Sequence, residues 1–388
     1  MIELNDICEL IVDCEHKTAP TEDSGFPSIR TPNIGKGVFI LDGVNRVSEE
    51  TYRQWTRRAV PQAGDLIMAR EAPVGNVAMI PVGLVPCLGQ RTLLIRPDRS
   101  MVEPSYLNYF LNGPYVQSLV QAKTNGATVP HLNMKDVRSL LLPELPPLPI
   151  QRRIAGILSA YDDLIENCQR RIKILESMSR AFYREWFVHF RFPGHESVPR
   201  APSPLGEIPQ GWEVTTLGDL VGIRKGKNIT KDLIRDGSVP VVAGGIAPAY
   251  FHDTPNTQSP TITISASGAN AGFVRLYHVN VWASDCSFID LSATPHVLYF
   301  YLWLDYRRAT VMHLQRGSAQ PHVYPKDLAQ LEAVRVPKEL LDAFTSQIAP
   351  IIDQTMRMAA KVETLHRTRD LLLPRLLSGQ IDVEASAA

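Results

Sequence analysis

The sequence predicts an α+β protein made by tandem duplication: two similar globular blocks, each leading into one long amphipathic helix, with the two helices paired as a coiled coil. Three observations predict it. Residues 150–190 contain no proline and carry apolar side chains at spacings of three and four. Residues 341–377 repeat that spacing at the end of the chain. The segments ahead of the two helices share motifs in the same order, the signature of an internal repeat.

The first block should mix strands and helices. Residues 65–69 and 91–95 alternate and β-branch like strands, residues 106–120 like a helix, and Asp42-Gly43 and Asn112-Gly113 are turn signals between them. The first long helix then presents Ile154, Ile157, Tyr161, Ile165, Cys168, Ile172, Leu175, Met178, Phe182 and Trp186 along one stripe. At 1.5 Å per residue it would extend about 60 Å, more than a compact core can cover, so its stripe calls for a partner helix. A proline-rich linker follows, with Pro193, Pro199, Pro202, Pro204 and Pro209. The second block repeats the first, with a strand over 261–265 and a helix over 296–314. The second long helix offers Phe344, Ile348, Ile351, Met358, Val362, Leu365 and Leu372, with Thr355 and Arg369 interrupting the seam. Pro350 should kink or delay this helix and Pro374 should break it. The competing reading is two unrelated surface helices, each of which would leave a long apolar stripe wet.

The duplication rests on ordered matches. Gly126, Pro130, His131, Lys135 and Asp136 recur without a gap as Gly317, Pro321, His322, Lys326 and Asp327. Gly75 matches Gly272, and Leu4 to Ile7 match Leu217 to Leu220.

Composition narrows the function. In 388 residues Lys+Arg and Asp+Glu both total 40, which excludes a basic coat over the whole surface but leaves room for local basic faces. No run is long and apolar enough for a membrane span, and the start lacks a secretory pattern, so a cytoplasmic location is expected. Five cysteines form no C-x-x-C pair and read as buried or incidental thiols. No residue cluster has zinc spacing, and no metal site is expected. Residues 222–228 superficially look like a P-loop, but the segment is one residue short and Asn228 replaces the Ser or Thr that would hold Mg²⁺.

With the duplication established, the chain resembles the specificity subunit of Type I restriction-modification systems over essentially its whole length. The resemblance is carried by the repeated G-x4-H-x3-K-D motif, by the junction from Trp186 to Gly194, by the run from Pro204 to Trp212 leading into Leu217, and by the C-terminal run from Arg369 to Ile381. The first block lacks the Pro-x-Gly-Trp lead that precedes the second. The resemblance implies two target-recognition domains at 1–147 and 212–336, spacer helices at 148–190 and 337–380 packed antiparallel, and a linker at 191–211. Such a chain is not itself an enzyme. It would read a split, asymmetric double-stranded DNA sequence, the helices setting the unread gap, and dock methyltransferase subunits, expected as two, and restriction subunits where present. S-adenosylmethionine would belong to the methyltransferase partner, and this chain should bind no cofactor. The alternative is a coiled-coil scaffold whose globular blocks bind protein.

Candidate DNA contacts follow from residue type. Lys and Arg neutralise phosphates, while Arg, Asn, Gln and Ser reach base edges. In the first block these are Arg30, Asn33 and Lys36 in a glycine-rich loop, Arg57 and Arg58 beside Trp55, and Lys123, Asn125 and Thr128 around Gly126. In the second they are Arg224, Lys225, Lys227, Asn228 and Lys231, with Arg316, Ser318 and Gln320 around Gly317; the cations of the first run, with Arg235, face only Asp232 and Asp236 in the local sequence. For any one of them a solvated charged face is the competing reading. His131 and His322 are expected to pack beneath their loops, and the Lys-Asp pairs at 135–136 and 326–327 to open short turns. Partner docking or helix pairing is assigned to Ile154, Ile157, Tyr161, Ile165, Ile172, Leu175, Ile348, Ile351, Met358, Val362 and Leu365.

Overall fold

In the computed structural model, which describes residues 1–124, 130–317 and 320–383, the chain divides into two units. One comprises Met1–Glu166 with Glu363–Ala388, the other Asn167–Val362. Both are α+β and share the order of their main strands and helices, although the helix Glu49–Trp55 of the first has no counterpart in the second and the hairpin Arg200–Ser203 with Gly206–Pro209 none in the first.

In the first unit a four-stranded antiparallel sheet runs Cys8–Asp13, Thr92–Pro97, Leu66–Ala69, Val77–Met79 across its width. Alternation explains how it is covered on both faces. Leu66, Met68, Leu93 and Ile95 face a helical core with Tyr106, Leu107 and Phe110, whereas Ile67, Ala69, Ala78 and Leu94 pack with Ile29, Ile34 and Leu88. Ile29 and Leu88 belong to a smaller sheet in which Phe26–Ile29 pairs with Cys87–Leu88 in parallel. The second unit repeats the plan, with Arg224–Lys225, Cys286–Asp290, Thr261–Ser265 and Val274–Tyr277 in one sheet and Val239–Val242 parallel to Trp282–Ala283 in the other.

Register makes the repeat residue-specific. Ala69 pairs with Thr92 as Ser265 pairs with Cys286, and Asp13 pairs with Leu93 as Lys225 pairs with Ser287. The Gly75 amide donates to the Ala69 carbonyl at 2.9 Å, and the Gly272 amide to that of Ser265 at 2.8 Å. Both glycines have positive φ, +83° and +84°, and a Cβ on Gly75 would fall 2.6 Å from a Val120 methyl carbon, so glycine is required there on both counts. Leu4–Ile7 and Leu217–Leu220 each open with a reciprocal capping box, through Asp6 and Asp219.

The two long helices are Leu148–Phe187 and Lys338–Leu377, 40 residues each. They are antiparallel in both units. The start of the first meets the end of the second, where Ile154 and Leu158 share a core with Leu376, and its end meets the start of the second, where Tyr183, Trp186 and Phe187 surround Phe344. The seam is buried at Ile154, Ile165 and Ile348 and only half-buried at Ile157, Tyr161, Ile172, Leu175, Ile351, Met358, Val362 and Leu365. Arg369, which interrupts the stripe, donates to Asp162 of the facing helix at 2.5 Å, and the Tyr109 hydroxyl donates to the same carboxylate at 2.6 Å. Such a satisfied polar contact favours one register over its neighbours.

Two expectations about helices are corrected. The second long helix starts at Lys338, well ahead of Pro350, and continues past Pro374 to Leu377, so neither the late start nor the break at Pro374 occurs. Both prolines are exposed, as are Ser346 and Asp370, whose carbonyls lose their helical donor and can turn to water. The helices expected over 106–120 and 296–314 are each two, Pro104–Asn112 with Pro114–Lys123 and Val297–Tyr306 with Arg308–His313. The first break falls at Gly113-Pro114, whose restricted backbone stops the preceding helix.

Cys14, Cys87, Cys168 and Cys286 are buried and Cys8 half-buried. Burial pushes the Cys87 and Cys286 thiols up to about 12. At pH 8 they should react with a thiol reagent only after unfolding, and all five should react in denaturant. Because the folded value is raised, the stability they contribute is fully present below pH 9 and is lost as the pH climbs toward 12. Rapid labelling of Cys286 in the native chain would contradict its burial.

Candidate nucleic-acid interface

Loops converge at one end of each four-stranded sheet. In the first unit the strand Cys8–Asp13 finishes there and the strand Thr92–Pro97 begins there, next to the end of Leu66–Ala69. His16, Arg70, Glu71, Arg91 and His131 line a cleft of about 440 Å³ at this end. Asp13 organises it. Its carboxylate accepts from Arg70 at 2.6 Å and lies 3.1 Å from His16 Nε2, while Arg70 Nε donates to the Leu132 carbonyl at 2.9 Å. Arg91 is ion-paired with Glu71 across the mouth.

The expected first-block arginines gather around the same segment. Arg57 pairs with Glu15 at 3.0 Å, and Arg58 donates to the carbonyls of Asp13 and Cys14 at 3.2 and 3.1 Å. Arg30 is exposed beside Gln90, Thr18 and Asn45. Asn33 instead staples its own loop, accepting from the Arg30 amide at 3.1 Å and donating to the Ile40 carbonyl at 3.1 Å. Lys36 is exposed in that loop, and Lys123 is half-buried at the end of its helix. Asn125, Thr128 and Ser318 lie outside the described residues. His131 lines the cleft.

In the second unit Lys225, Gly226, Lys227 and Asn228 leave the edge strand at the corresponding end. The Gly226 amide donates to the Cys286 carbonyl at 2.8 Å and the Lys227 amide to that of Ala283 at 2.9 Å. Gly226 lies so close to this strand that a Cβ would sit 2.2 Å from the Ser284 oxygen. That close approach holds the exposed Lys225, Lys227 and Asn228 on a rigid edge. The segment is a strand and an extended turn rather than a phosphate loop opening a helix. Lys231 lies over Tyr250, 5.8 Å from the ring centre.

The expectation that these cations face only Asp232 and Asp236 is corrected. Arg224 is ion-paired with Asp290 and stacks 4.7 Å from the Phe288 ring, and Arg235 pairs with Asp253 at 3.1 Å. These partners are distant in sequence and become neighbours only through sheet pairing. Arg316 is likewise engaged, donating to Asp327 at 2.7 Å, while His322 stacks on Tyr324 and Gln320 is exposed. Asp327 therefore pairs with Arg316 across the turn.

These geometries separate structural from available charge. Among the described residues Lys227 makes no ion pair, so Lys227→Ala should lower the slope of log affinity against log salt for DNA by about one unit with unchanged stability. Arg224→Ala should also cost about 1–2 kcal/mol of stability, because it strips a hydrogen-bonded cation from the buried Asp290. Salt titration and denaturant unfolding of both variants separate the two roles.

His16, Arg70, Glu71 and Arg91 were not legible as candidates, yet a signal existed. Register makes Asp13 the counterpart of Lys225 in the repeat, which marks the residues after Asp13 as equivalents of the basic run in the other unit. Asp13, Cys14 and His16 also bring metal-ligand atoms within 4.8 Å of one another. On these contacts the Asp13 carboxylate is taken by Arg70, and burial pushes the Cys14 thiol upward.

The comparisons agree with the repeated plan. The family model described as Type I restriction modification DNA specificity domain matches residues 1–177 and 209–361. The Type I restriction enzyme MjaIX specificity subunit of Methanocaldococcus jannaschii is 24% identical over 368 residues, covering 89% of this chain and 84% of that protein. The putative type I specificity subunit S.MgeORF438P of Mycoplasma genitalium is 25% identical over 266 residues, covering 67% of each. A crystal structure of the Type I restriction-modification S subunit from M. genitalium shares the fold, with a TM-score of 0.69 at 16% identity over 97% of this chain and 95% of that one. With two matched segments that span most of its length, each ending inside a long helix, the chain belongs to the Type I restriction-modification DNA specificity family.

Proposed function

We propose that each unit reads one half of a split, asymmetric duplex DNA sequence and that the chain presents this DNA to methyltransferase subunits, two per chain, with restriction subunits joining where the system has them. The observation that carries the reading is the repeated sheet end. Asp13 in one unit occupies the place of Lys225 in the other. One scaffold with different polar side chains at one place suits two different half-sites, whereas an identical pair would read a palindrome.

Partner docking draws support from the helices. Leu164 and Leu371 in one unit are 46% and 56% exposed, and Ile174 and Met178 in the other are 59% and 43% exposed, more apolar surface than water favours on a helix. Methyl transfer would use S-adenosylmethionine held by the partner, acting on an adenine turned out of the duplex. This chain's part is to bind and orient DNA, and a cytoplasmic location suits it. Among the described residues no helix is long and apolar enough to cross a membrane.

Sequencing methylated adenines in cells that express the chain with its methyltransferase tests the reading. A bipartite, non-palindromic motif that vanishes when the chain is deleted is the expected result. Methylation by the purified chain alone would sink it, and salt-insensitive binding to protein in place of DNA would sink it in favour of a scaffold.

A further inference from the structure

A second position in the repeated sheet end, besides Asp13 and Lys225, differs in charge between the units. Arg91 is the residue immediately before the strand Thr92–Pro97, and Asp285 immediately precedes the strand Cys286–Asp290. They are structural counterparts. The Arg70 amide donates to the Arg91 carbonyl at 2.9 Å, and the Ala266 amide donates to the Asp285 carbonyl at 3.2 Å. The next layer repeats too, with the Leu132 amide donating to the Arg70 carbonyl and the Val323 amide to that of Ala266, each at 3.0 Å.

Each side chain is held by the equivalent neighbour. Arg91 pairs with Glu71, and Asp285 accepts from the hydroxyl of Ser267, the residues that follow Arg70 and Ala266. The Arg91 side chain remains 53% exposed at the mouth of the cleft formed with His16, Arg70 and His131. Its backbone lies in the left-handed region, φ +66°, which a residue with a Cβ adopts at a cost. A glycine would satisfy that turn better, so the arginine is not there for the backbone.

Resting on the reading of the chain as a DNA reader, we propose that this turn is a base-reading position in both units. Arg91 takes a guanine in one half-site, and Asp285 takes a base amino group, as on cytosine, in the other. The chemistry is complementary. A guanidinium fork anchored at one nitrogen by a carboxylate still offers donors that match the two acceptors of guanine in the major groove, whereas a carboxylate accepts from the exocyclic amine of cytosine. An acidic side chain near DNA is repelled by phosphates, so it is better matched to a base edge than to the backbone.

The test uses the chain with its methyltransferase partner, reading the methylated motif in cells and the affinity of the purified complex for duplexes varied one base at a time. Arg91→Lys keeps the charge and removes the fork. It should reduce discrimination for guanine at one position of one half-site by about 5- to 150-fold while the salt slope stays unchanged. Arg91→Gly removes the side chain in a backbone that suits glycine, so its loss of the same preference cannot be ascribed to misfolding. Asp285→Asn should relax or change one base of the other half-site only. An unchanged motif in the Arg91 variants, or a half-site without guanine, would overturn the assignment while specific binding by the parent complex keeps the broader function intact. Full discrimination in Arg91→Lys with weakened, less salt-dependent binding in Arg91→Gly would make Arg91 a phosphate contact and also overturn it. Failure of the parent complex to bind DNA selectively would remove the function itself.

Discussion

Phe344→Ala should destabilise the second unit by about 3–5 kcal/mol, the cost of emptying a large aromatic site in a packed core. Phe344 is fully buried near the start of the second long helix. Its ring lies 4.8 Å from Phe187 in a T-shaped contact and 5.5 Å from Trp186, both at the end of the first helix, and 6.3 Å from Tyr299 in the globular part. Removing it loosens three elements at once. Denaturant unfolding followed by tryptophan fluorescence should show an earlier transition. A change under 1 kcal/mol would mean that the aromatic cluster does not hold the helices together. Leu371→Ala is the contrasting substitution, because that side chain is 56% exposed and its truncation should leave stability nearly unchanged.

Exchanging the whole first unit for that of a relative, residues 1–166 together with 363–388, should replace one half of the methylated motif and leave the other half intact. The structure dictates these boundaries. Leu4, Tyr106, Leu107 and Phe110 share a core with Ile154 and Leu158 of the first long helix and with Leu376 and Val383 from the far end of the chain. Exchange of residues 1–145 alone cuts through that core, and each mismatched large apolar contact costs about 1–3 kcal/mol. Such a chimera should express poorly unless the donor matches at Ile154, Leu158 and Leu376. Methylome sequencing reads the first result and soluble yield the second. A change in both halves after the complete exchange would mean that the units do not read independently.

The duplication, the strands at Leu66–Ala69 and Thr261–Ser265 and both long helices were legible in the sequence, because each depends on local periodicity or on motifs that survive in order. The path of the second helix through Pro350 and Pro374 was not, since propensity is a local quantity and packing along 40 residues outweighs two missing hydrogen bonds. The candidate interface was half legible. Lys225, Lys227 and Asn228 form a local run of basic and polar residues, whereas His16, Arg70, Arg91 and His131 come from separate parts of the chain and meet only at the sheet end.

By itself, the sequence determined the repeat, the helices and the family, because composition, spacing and motif order are properties of a line of residues. Only the tertiary structure decided which charges are already spent, as Arg224 on Asp290 and Arg316 on Asp327 are. It alone decided that the C-terminal end of the chain completes the N-terminal unit, with Leu376 beside Ile154 and Arg369 on Asp162. The physical reason is the same in each case: hydrophobic burial and charge pairing act through space, and antiparallel helices bring together residues about two hundred positions apart.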